Sequence, residues 1–366
     1  MRVVDRWKAL AAVSFMIALA IDARAQEKGW NRLIAGGRQE GKVVVIGSAD
    51  PAVRVEIPAK FKARFGVTVE YLGGRSGELM SRLQSERRSG LYTVDVIISG
   101  AETASTVLYP EKIIDPLRPL LLPEVIDPSK WKGGKPWFFD PEEKYILRLF
   151  KYVTSIVAVN NDFVKPRDLT SIQDLLHPKW KGKISADDPA VSGQGASVAA
   201  TLYFFLGEEF VKRLYVDNQV AVSRSSRQVE DWLAKGIHPI SVGVGESGVQ
   251  RLQKEGFPVE SIHRLSGMPG YIGGGGFNYL CIFNRAPHPN AARLFVNWLA
   301  SKEGLEVYSR LLLDPTTRND VDESFVPAYL LPEPGVSYVV HDWDFILKHK
   351  KVVIARMAEI MRGRKP

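Results

Sequence analysis

The sequence is poor in cysteine, in histidine and in long hydrophobic runs. A single cysteine, Cys281, excludes a disulfide within one chain. Past residue 25, no stretch reaches the ~18 consecutive apolar residues that a membrane-spanning helix needs. The six histidines are scattered, and we find no Ser-His-Asp order, metal-ligand cluster or Walker-type phosphate loop. These absences argue against a disulfide scaffold, an integral membrane protein and the common hydrolases, and they predict a soluble mature protein.

The first 25 residues have the pattern of a secretory signal peptide. Arg2, Arg6 and Lys8 precede an apolar run over residues 9–21, and Ala23-Arg24-Ala25 fits a cleavage site between small residues. We therefore predict cleavage after Ala25 and a periplasmic protein.

The charge of the chain is positive and evenly spread. The formal net charge is +8, and an exported protein rarely meets nucleic acid, so we predict no nucleic-acid partner. A scattered positive charge suits attraction of small anions.

A repeated unit organises the first part of the chain. Three short apolar runs, at residues 43–46, 67–71 and 94–98, each end in a small polar turn and lead into an amphipathic stretch. This alternation predicts a parallel sheet with helices between its strands, and ligands of such sheets sit beyond the carboxyl ends of the strands. The candidate binding residues in these loops are Ser48, Asp50, Arg75, Ser76, Ser99 and Gly100.

The second part of the chain repeats the pattern. Predicted strands at residues 184–186 and 240–244 again end in polar turns that open helices. The candidate binding residues here are Asp188, Ser192, Gly193 and Glu246. A glycine-dense stretch at 267–276 suggests a return crossing. We therefore predict an α/β fold of two lobes, each a doubly wound, mostly parallel sheet: residues 26–152 with 274–366, and residues 153–273.

Several segments, in this order and spacing, resemble the type 2 periplasmic solute-binding proteins of ABC importers, in the branch that includes ferric-iron-binding proteins. The resembling segments are residues 40–45, 61–69, 76–79, 94–96, 174–184, 286–292 and 298–304. The resemblance covers nearly the whole mature chain. It implies a two-lobed clamshell that closes on a solute by a hinge motion and presents it to a membrane permease, with no enzymatic activity.

The same resemblance implies which residues touch the solute. Ferric-binding members use a tyrosine pair where this sequence has Glu246-Ser247, so their iron ligands are not retained. Ser192-Gly193 matches the anion-holding loop of the branch, and Ser226 falls near another anion contact. Arg75 is the best placed arginine for bidentate recognition of an anion, ahead of Arg224 and Arg227. We predict a monomer that binds a small organic anion, without a cofactor or metal.

Two alternatives stay open. In the first alternative, a metal site is formed by Asp50, Glu246 and the pair Asp187-Asp188. Turn and cap roles are the commoner use of such carboxylates. In the other, the chain is an enzyme on the same fold, a thiaminase-like transferase with Cys281 as nucleophile. We favour a buried, inert thiol for Cys281.

Overall fold

A computed structural model of the chain describes residues 28–363 except 75, 192, 264, 269, 274 and 275, and the side chains of residues 76–78, 166 and 247 are not described either. The predicted signal peptide with its cleavage site, Arg75 and Ser192 therefore lie outside the described residues. The described chain divides into two compact units. Unit 1 holds residues up to 150 and 276–326, and unit 2 holds residues 151–273 and 327–363.

The regular elements alternate between strand and helix over most of the chain. The strands are β1 Lys42–Gly47, β2 Thr68–Gly73, β3 Val96–Ser99, β4 Ile114–Asp115, β5 Leu147–Arg148, β6 Tyr152–Thr154, β7 Val157–Asn160, β8 Ile184–Asp187, β9 Ala221–Ser223, β10 Ile240–Val242, β11 Val259–Ile262, β12 Tyr271–Gly273, β13 Tyr279–Phe283 and β14 Val339–Val340. The α-helices are α1 (residues 28–40), α2 Pro51–Phe65, α3 Ser76–Arg88, α4 Ala101–Thr103, α5 Gln194–Lys212, α6 Ser226–Ala234, α7 Glu246–Lys254, α8 Pro289–Ala300, α9 Lys302–Leu312 and α10 Lys351–Arg362. No helix in the described part of the chain is long and apolar enough to cross a membrane.

The sheet of unit 1 has one reversed strand among those described. Its order is β2-β1-β3-β13-β4, and β5 also pairs with β13. Strand β1 runs parallel to both β2 and β3, whereas β13 is antiparallel to β3, β4 and β5. In register, Gly47 lies opposite Gly73, and Ile46 lies opposite Ile97. The carboxyl ends of β1, β2 and β3 therefore share one edge, which we call the carboxyl edge of unit 1.

Helix α2 shows why the sequence folds this way locally. The apolar residues recurring at helical spacing, Val53, Ile57, Phe61 and Phe65, are all at most 2% exposed, and burial of one such side chain stabilises by about 1.5–3 kcal/mol. The ring of Phe61 meets those of Phe295 and Trp298 from α8 at 5.2 and 5.3 Å. Gly66 ends the helix in a left-handed conformation, with φ of 75°.

The main sheet of unit 2 also has one reversed strand among those described. Its order is β11-β7-β10-β8-β9, with β8 parallel to β9 and β10 and with β7 antiparallel to β10 and β11. Asp187 pairs with Ser223, and Ala186 with Val242. The ends of β8, β9 and β10 thus form the carboxyl edge of unit 2. The prediction of α/β units with mostly parallel sheets is confirmed.

The C-terminal segment differs from the sequence prediction. We predicted that residues 327–366 belong with the first lobe, but the described part of this segment lies in unit 2. Helix α10 buries Val353, Met357 and Ile360 in the core that also contains Phe210 and Val211 of α5. Strand β14 pairs with β12, which pairs with β6, in a small sheet of unit 2. An amphipathic helix carries no local signal of which core receives its apolar face.

Candidate functional site

The first loop at the carboxyl edge of unit 1 is held by hydrogen bonds of its own. Ser48 Oγ accepts from the backbone N–H of Asp50 at 3.1 Å. Asp50 Oδ1 accepts from the N–H groups of Ala52 and Val53 at 2.9 and 3.1 Å, so this carboxylate is the N-cap of α2. The sequence analysis considered helix capping as the alternative to metal binding for Asp50. The structure shows Asp50 in the capping role.

The loops after β1 and β2 lie against each other. A Cβ added to Gly73, the last residue of β2, would come within 2.8 Å of the Ser48 carbonyl oxygen and 2.7 Å of Arg54 Cδ. A glycine at this position allows the close approach. Ser76 begins α3 directly beyond this contact. The structure therefore brings the backbones at Ser48 and Ser76 to one part of the edge.

Ser99 and Gly100 end the third parallel strand. Ser99 is fully buried, and its Oγ has no hydrogen-bond partner among the described residues. A buried hydroxyl without a partner is costly, but full burial gives Ser99 no surface for direct contact with a solute. Gly100 is half-buried, and a Cβ there would lie 3.2 Å from the Gly276 carbonyl oxygen. Of the two, Gly100 is the one that offers its backbone to the edge.

The carboxyl edge of unit 2 carries a perturbed carboxyl group that the sequence analysis did not select as a binding residue. Asp187, the last residue of β8, is 9% exposed. Ser226 Oγ, at the start of α6, donates to Asp187 Oδ2 at 3.0 Å, while Oδ1 has no partner among the described residues. The pKa of Asp187 is raised to about 6, mainly by burial. The Ser226 hydrogen bond lowers this pKa, and the nearby charge of Glu230 raises it.

Asp188, which the sequence analysis did select, has a different role. Its carboxylate accepts from Ala190 N at 2.9 Å and from Arg224 Nε at 3.2 Å. The Arg224 side chain is 81% exposed, so the ion pair is a surface contact of small worth. The structure makes Asp187 the last residue of β8, whereas the sequence prediction ended this strand at residue 186 and did not distinguish the two aspartates.

Two glycines bring helix α5 to the same edge. Gly193 precedes α5 with φ of 152°, a conformation open to glycine, and it is exposed. A Cβ added to Gly195 would lie 2.4 Å from the Asp187 carbonyl oxygen. The N-terminus of α5 is therefore pressed onto the end of β8, beside the Asp187 carboxyl group.

Glu246 opens helix α7 at this edge. Its Oε2 accepts from Ser261 Oγ at 2.7 Å, and its position in the first turn is favourable for a negative charge. Gly248 approaches the neighbouring helix α6, since a Cβ there would lie 2.5 Å from Glu230 Oε1. The structure therefore assembles Asp187, Ser226, Glu230 and Glu246 around the N-termini of α6 and α7.

The structure shows where the residues of the metal and nucleophile alternatives lie. Among them, no group of three or more His, Cys, Asp or Glu side chains is suited to hold a metal ion. Cys281 is buried within β13, and burial raises its pKa well above the usual thiol range. A nucleophilic cysteine needs the opposite, an accessible thiol with a lowered pKa.

Comparison with solved structures defines the class of the fold. The chain is similar to IdiA (FutA) of Trichodesmium in complex with iron and citrate, with a TM-score of 0.66, 18% identity, and 89% and 100% of the two chains covered. It is also similar to the periplasmic binding protein AfuA of Actinobacillus pleuropneumoniae with fructose-6-phosphate bound, with a TM-score of 0.64, 18% identity, and 88% and 99% covered. The fold is thus that of type II periplasmic binding proteins.

The family follows from sequence. The family model of the bacterial extracellular solute-binding protein matches residues 56–327, well over half of the chain. A protein of Haemophilus influenzae, itself described only as uncharacterized, is 24% identical over 312 residues, which cover 79% of this chain and 82% of that protein. The chain belongs to the bacterial extracellular solute-binding proteins.

Membership in this family confirms the main functional prediction. The protein is a solute-binding component of an ABC transporter, with a small molecule as ligand and a membrane permease as partner. The family consists of solute-binding proteins rather than enzymes, and its members work on the extracytoplasmic side.

Proposed function

We propose that the solute is a small organic anion and that the loops at the two carboxyl edges bind it. The observation that carries the proposal is the composition of the unit 1 edge, where glycine and serine residues follow the strand ends and lead into the N-terminus of α3; the N-terminus of α2 is already capped by Asp50. Helix N-termini are favourable sites for anions because free N–H groups and the helix dipole both point there. In the sequence, Arg75 falls between β2 and α3, and we propose that its guanidinium group supplies the matching charge.

The carboxyl edge of unit 2 refines the class of solute. Burial raises the pKa of Asp187 to about 6, and Ser226 and Glu246 lie at neighbouring helix starts. Carboxyl groups accept hydrogen bonds from hydroxyl and amino groups. We therefore assign to this edge the uncharged or amino-bearing part of the solute. Fructose-6-phosphate, found in the structurally similar AfuA, is a molecule of this kind.

The mode of action belongs to the same proposal. We infer that the solute favours a closed arrangement because it makes more contacts there, and that a permease recognises this form. The protein is proposed to act as a monomer in the periplasm, released from its signal peptide after Ala25.

A ligand screen tests the class of solute. The protein is unfolded, dialysed and refolded to remove bound ligand, and its thermal unfolding is followed with carboxylates, inorganic phosphate, sugar phosphates, neutral sugars, polyamines, thiamine, and ferric iron with and without citrate. A ligand at 100 times its Kd stabilises by ~2.7 kcal/mol. A shift with one anion class is expected. A shift with ferric iron alone would contradict the proposal and restore the metal alternative.

The change Arg75→Ala tests the proposed anion contact. Loss of a charged hydrogen bond is expected to cost about 1.5–3 kcal/mol of binding free energy, which raises the Kd of the anion found in the screen by roughly 10- to 150-fold. Isothermal titration calorimetry measures the Kd.

The matched control is Arg64→Ala. This arginine lies in the last turn of α2, away from the carboxyl edge, and pairs with Glu303 at 3.5 Å on the surface. Its removal is expected to leave the Kd unchanged. Equal Kd values for Arg75→Ala and the wild type would remove Arg75 from the site.

A further inference from the structure

Unit 1 contains a surface cavity of about 470 Å³ that the solute site does not use. The residues that line it are Gln84, Arg87, Arg88, Tyr92, Glu111, Ile113, Asn284 and Arg285. A volume of this size is within the range of small-molecule pockets. We call it the arginine pocket.

The strand register places the arginine pocket at the opposite end of the sheet from the carboxyl edge. Helix α3 begins at the carboxyl edge and ends at Arg88. Strand β13 is antiparallel to β3, and its last residue, Phe283, pairs with Ile114; Asn284 and Arg285 follow directly. The length of β1, six residues, separates the two ends by roughly 20 Å. A ligand in the arginine pocket is therefore remote from Ser48 and Gly100.

The pocket has an excess of positive charge. Three guanidinium groups line it with one carboxylate, Glu111, whose Oε1 already accepts from Gln84 Nε2 at 2.7 Å. A second carboxylate, Asp115, lies close enough to Arg87 to act on its charge. The Arg88 side chain is exposed. Burial lowers the pKa of Arg87, and Arg285 lowers it as well, while Tyr92, Asp115 and Glu111 act in the opposite direction. A bound anion would stabilise the neighbouring charges of Arg87 and Arg285.

The cationic groups are held in place before any ligand arrives. Arg87 donates to both the carbonyl and the side-chain oxygen of Asn284, and its guanidinium carbon lies 5.0 Å from the centre of the Tyr92 ring. The guanidinium carbon of Arg285 lies 5.1 Å from the same ring, and Arg285 also donates to the Tyr92 hydroxyl. Preorganisation of this kind lowers the cost of binding.

The backbone of the pocket wall is strained. Arg285 has φ of 55°, and Lys112, whose carbonyl accepts from Asn284 Nδ2 at 2.7 Å, has φ of 53°. Residues other than glycine are destabilised by about 1–2 kcal/mol in this left-handed conformation. A glycine would remove the cost at Arg285, yet an arginine stands there. Replacing Arg285 by glycine therefore removes its guanidinium group without adding backbone strain.

We propose that the arginine pocket is a second, separate binding site and that it takes an oxyanion, a phosphate or carboxylate group carried on a small organic body. Guanidinium groups match both groups with paired hydrogen bonds. The cavity is larger than a bare phosphate ion requires, so the body of the ligand has room beside the Tyr92 ring. Such a site gives this solute receptor a means of responding to a second anion.

The test uses inorganic phosphate as the probe, titrated into the full-length mature protein at constant ionic strength. The change Arg285→Gly removes one guanidinium group and relieves the strained backbone. We expect its Kd for phosphate to rise at least tenfold while its Tm stays within about 4 °C of the wild type. The matched control is Gln219→Gly, because Gln219 is exposed, has φ of 52° and lies outside the pocket. It is expected to keep the wild-type Kd.

A second pair of variants separates this pocket from the solute site. Arg88→Ala is expected to weaken phosphate binding at least tenfold, whereas Arg32→Ala, which removes an exposed arginine of α1, is expected to leave this binding intact. Loss of phosphate binding in Arg75→Ala but not in the pocket variants would overturn the proposal. Absence of saturable binding by the wild type up to about 10 mM phosphate would overturn it as well.

The phosphate group can come from a free metabolite or from a lipid headgroup, and vesicles distinguish the two. Sedimentation with phosphatidylglycerol vesicles, but not with phosphatidylcholine vesicles, that is lost in Arg285→Gly would support the pocket and assign it to a membrane surface. Phosphate binding without vesicle binding would support the pocket and assign it to a free anion.

Discussion

Asp187 is a residue whose chemistry departs from its sequence context. Its neighbour Asp188 occupies a turn and pairs with an exposed arginine, while Asp187 is buried at the end of β8 with Ser226 as its donor. Burial raises its pKa from 3.8 to about 6. The folded protein therefore holds this proton more tightly than the unfolded chain does. The corresponding stabilisation is present in full below about pH 4 and is lost as the pH rises through about 6.

The change Asp187→Asn should remove this pH dependence. A pKa difference of about two units corresponds to ~3 kcal/mol, so the free energy of unfolding of the variant, relative to wild type, is expected to increase by about that amount between pH 4 and pH 8. Urea unfolding at the two pH values measures the difference, and any fixed effect of the asparagine cancels.

A second variant checks the cause of this shift. Ser226→Ala removes the hydrogen bond that favours the ionised form, so the pKa of Asp187 should rise further and the loss of stability should extend to higher pH. A constant difference between Asp187→Asn and wild type at all pH values would show that Asp187 titrates as an ordinary carboxyl group.

At the scale of elements, helix α5 packs closely against strand β8 because residue 195 is a glycine. A Cβ at Gly195 would lie 2.4 Å from a backbone oxygen of β8, and backbone cannot rotate away as a side chain can. Gly195→Ala is therefore expected to reduce the free energy of unfolding by about 1–3 kcal/mol, the usual cost of overpacking. Urea unfolding measures it.

Gly245→Ala is the matched control. Gly245 precedes α7 with φ of −69°, and a Cβ there would meet no heavy atom within 4 Å. Alanine fits this conformation, so the variant is expected to unfold within about 0.5 kcal/mol of wild type. Equal losses for the two variants would mean that the α5 contact is looser than the structure shows.

Local patterns were sufficient to predict most elements. The apolar spacing of α2 and the Gly66 stop are properties of neighbouring residues, and the structure has both. The destination of α10 could not be predicted in this way, because it depends on which core has room for Met357 and Ile360. The reversal of β13 likewise depends on pairing with distant strands.

The candidate site was predictable in its location but less so in its chemistry. Strand ends followed by glycine and serine predict the two carboxyl edges, and the structure places Ser48, Gly100, Gly193 and Ser226 there. Burial, however, is set by the whole fold. It hides the Ser99 hydroxyl and gives Asp187 rather than Asp188 the perturbed pKa.

At the scale of the whole molecule, the rate at which the Cys281 thiol is alkylated is expected to report on unfolding. Cys281 is the one cysteine of the chain, it is fully buried, and it pairs with Ile97 in the middle of the unit 1 sheet. Because burial also raises its pKa, the thiol has neither the access nor the ionised form that alkylation needs. Labelling by a maleimide should therefore require that the β3 and β13 pairing opens.

We expect the labelling rate of Cys281 to follow the equilibrium population of unfolded protein. In urea, the logarithm of the rate should rise with the slope that equilibrium unfolding gives, and a solute at 100 times its Kd should slow labelling about 100-fold. The control is the double variant Cys281→Ala with Val55→Cys, since Val55 is 64% exposed on α2 and a thiol there should react at a rate independent of urea. Fast, urea-independent labelling of Cys281 in the wild type would show instead that β13 opens locally, and the thiol would then report on unit 1 alone rather than on the whole molecule.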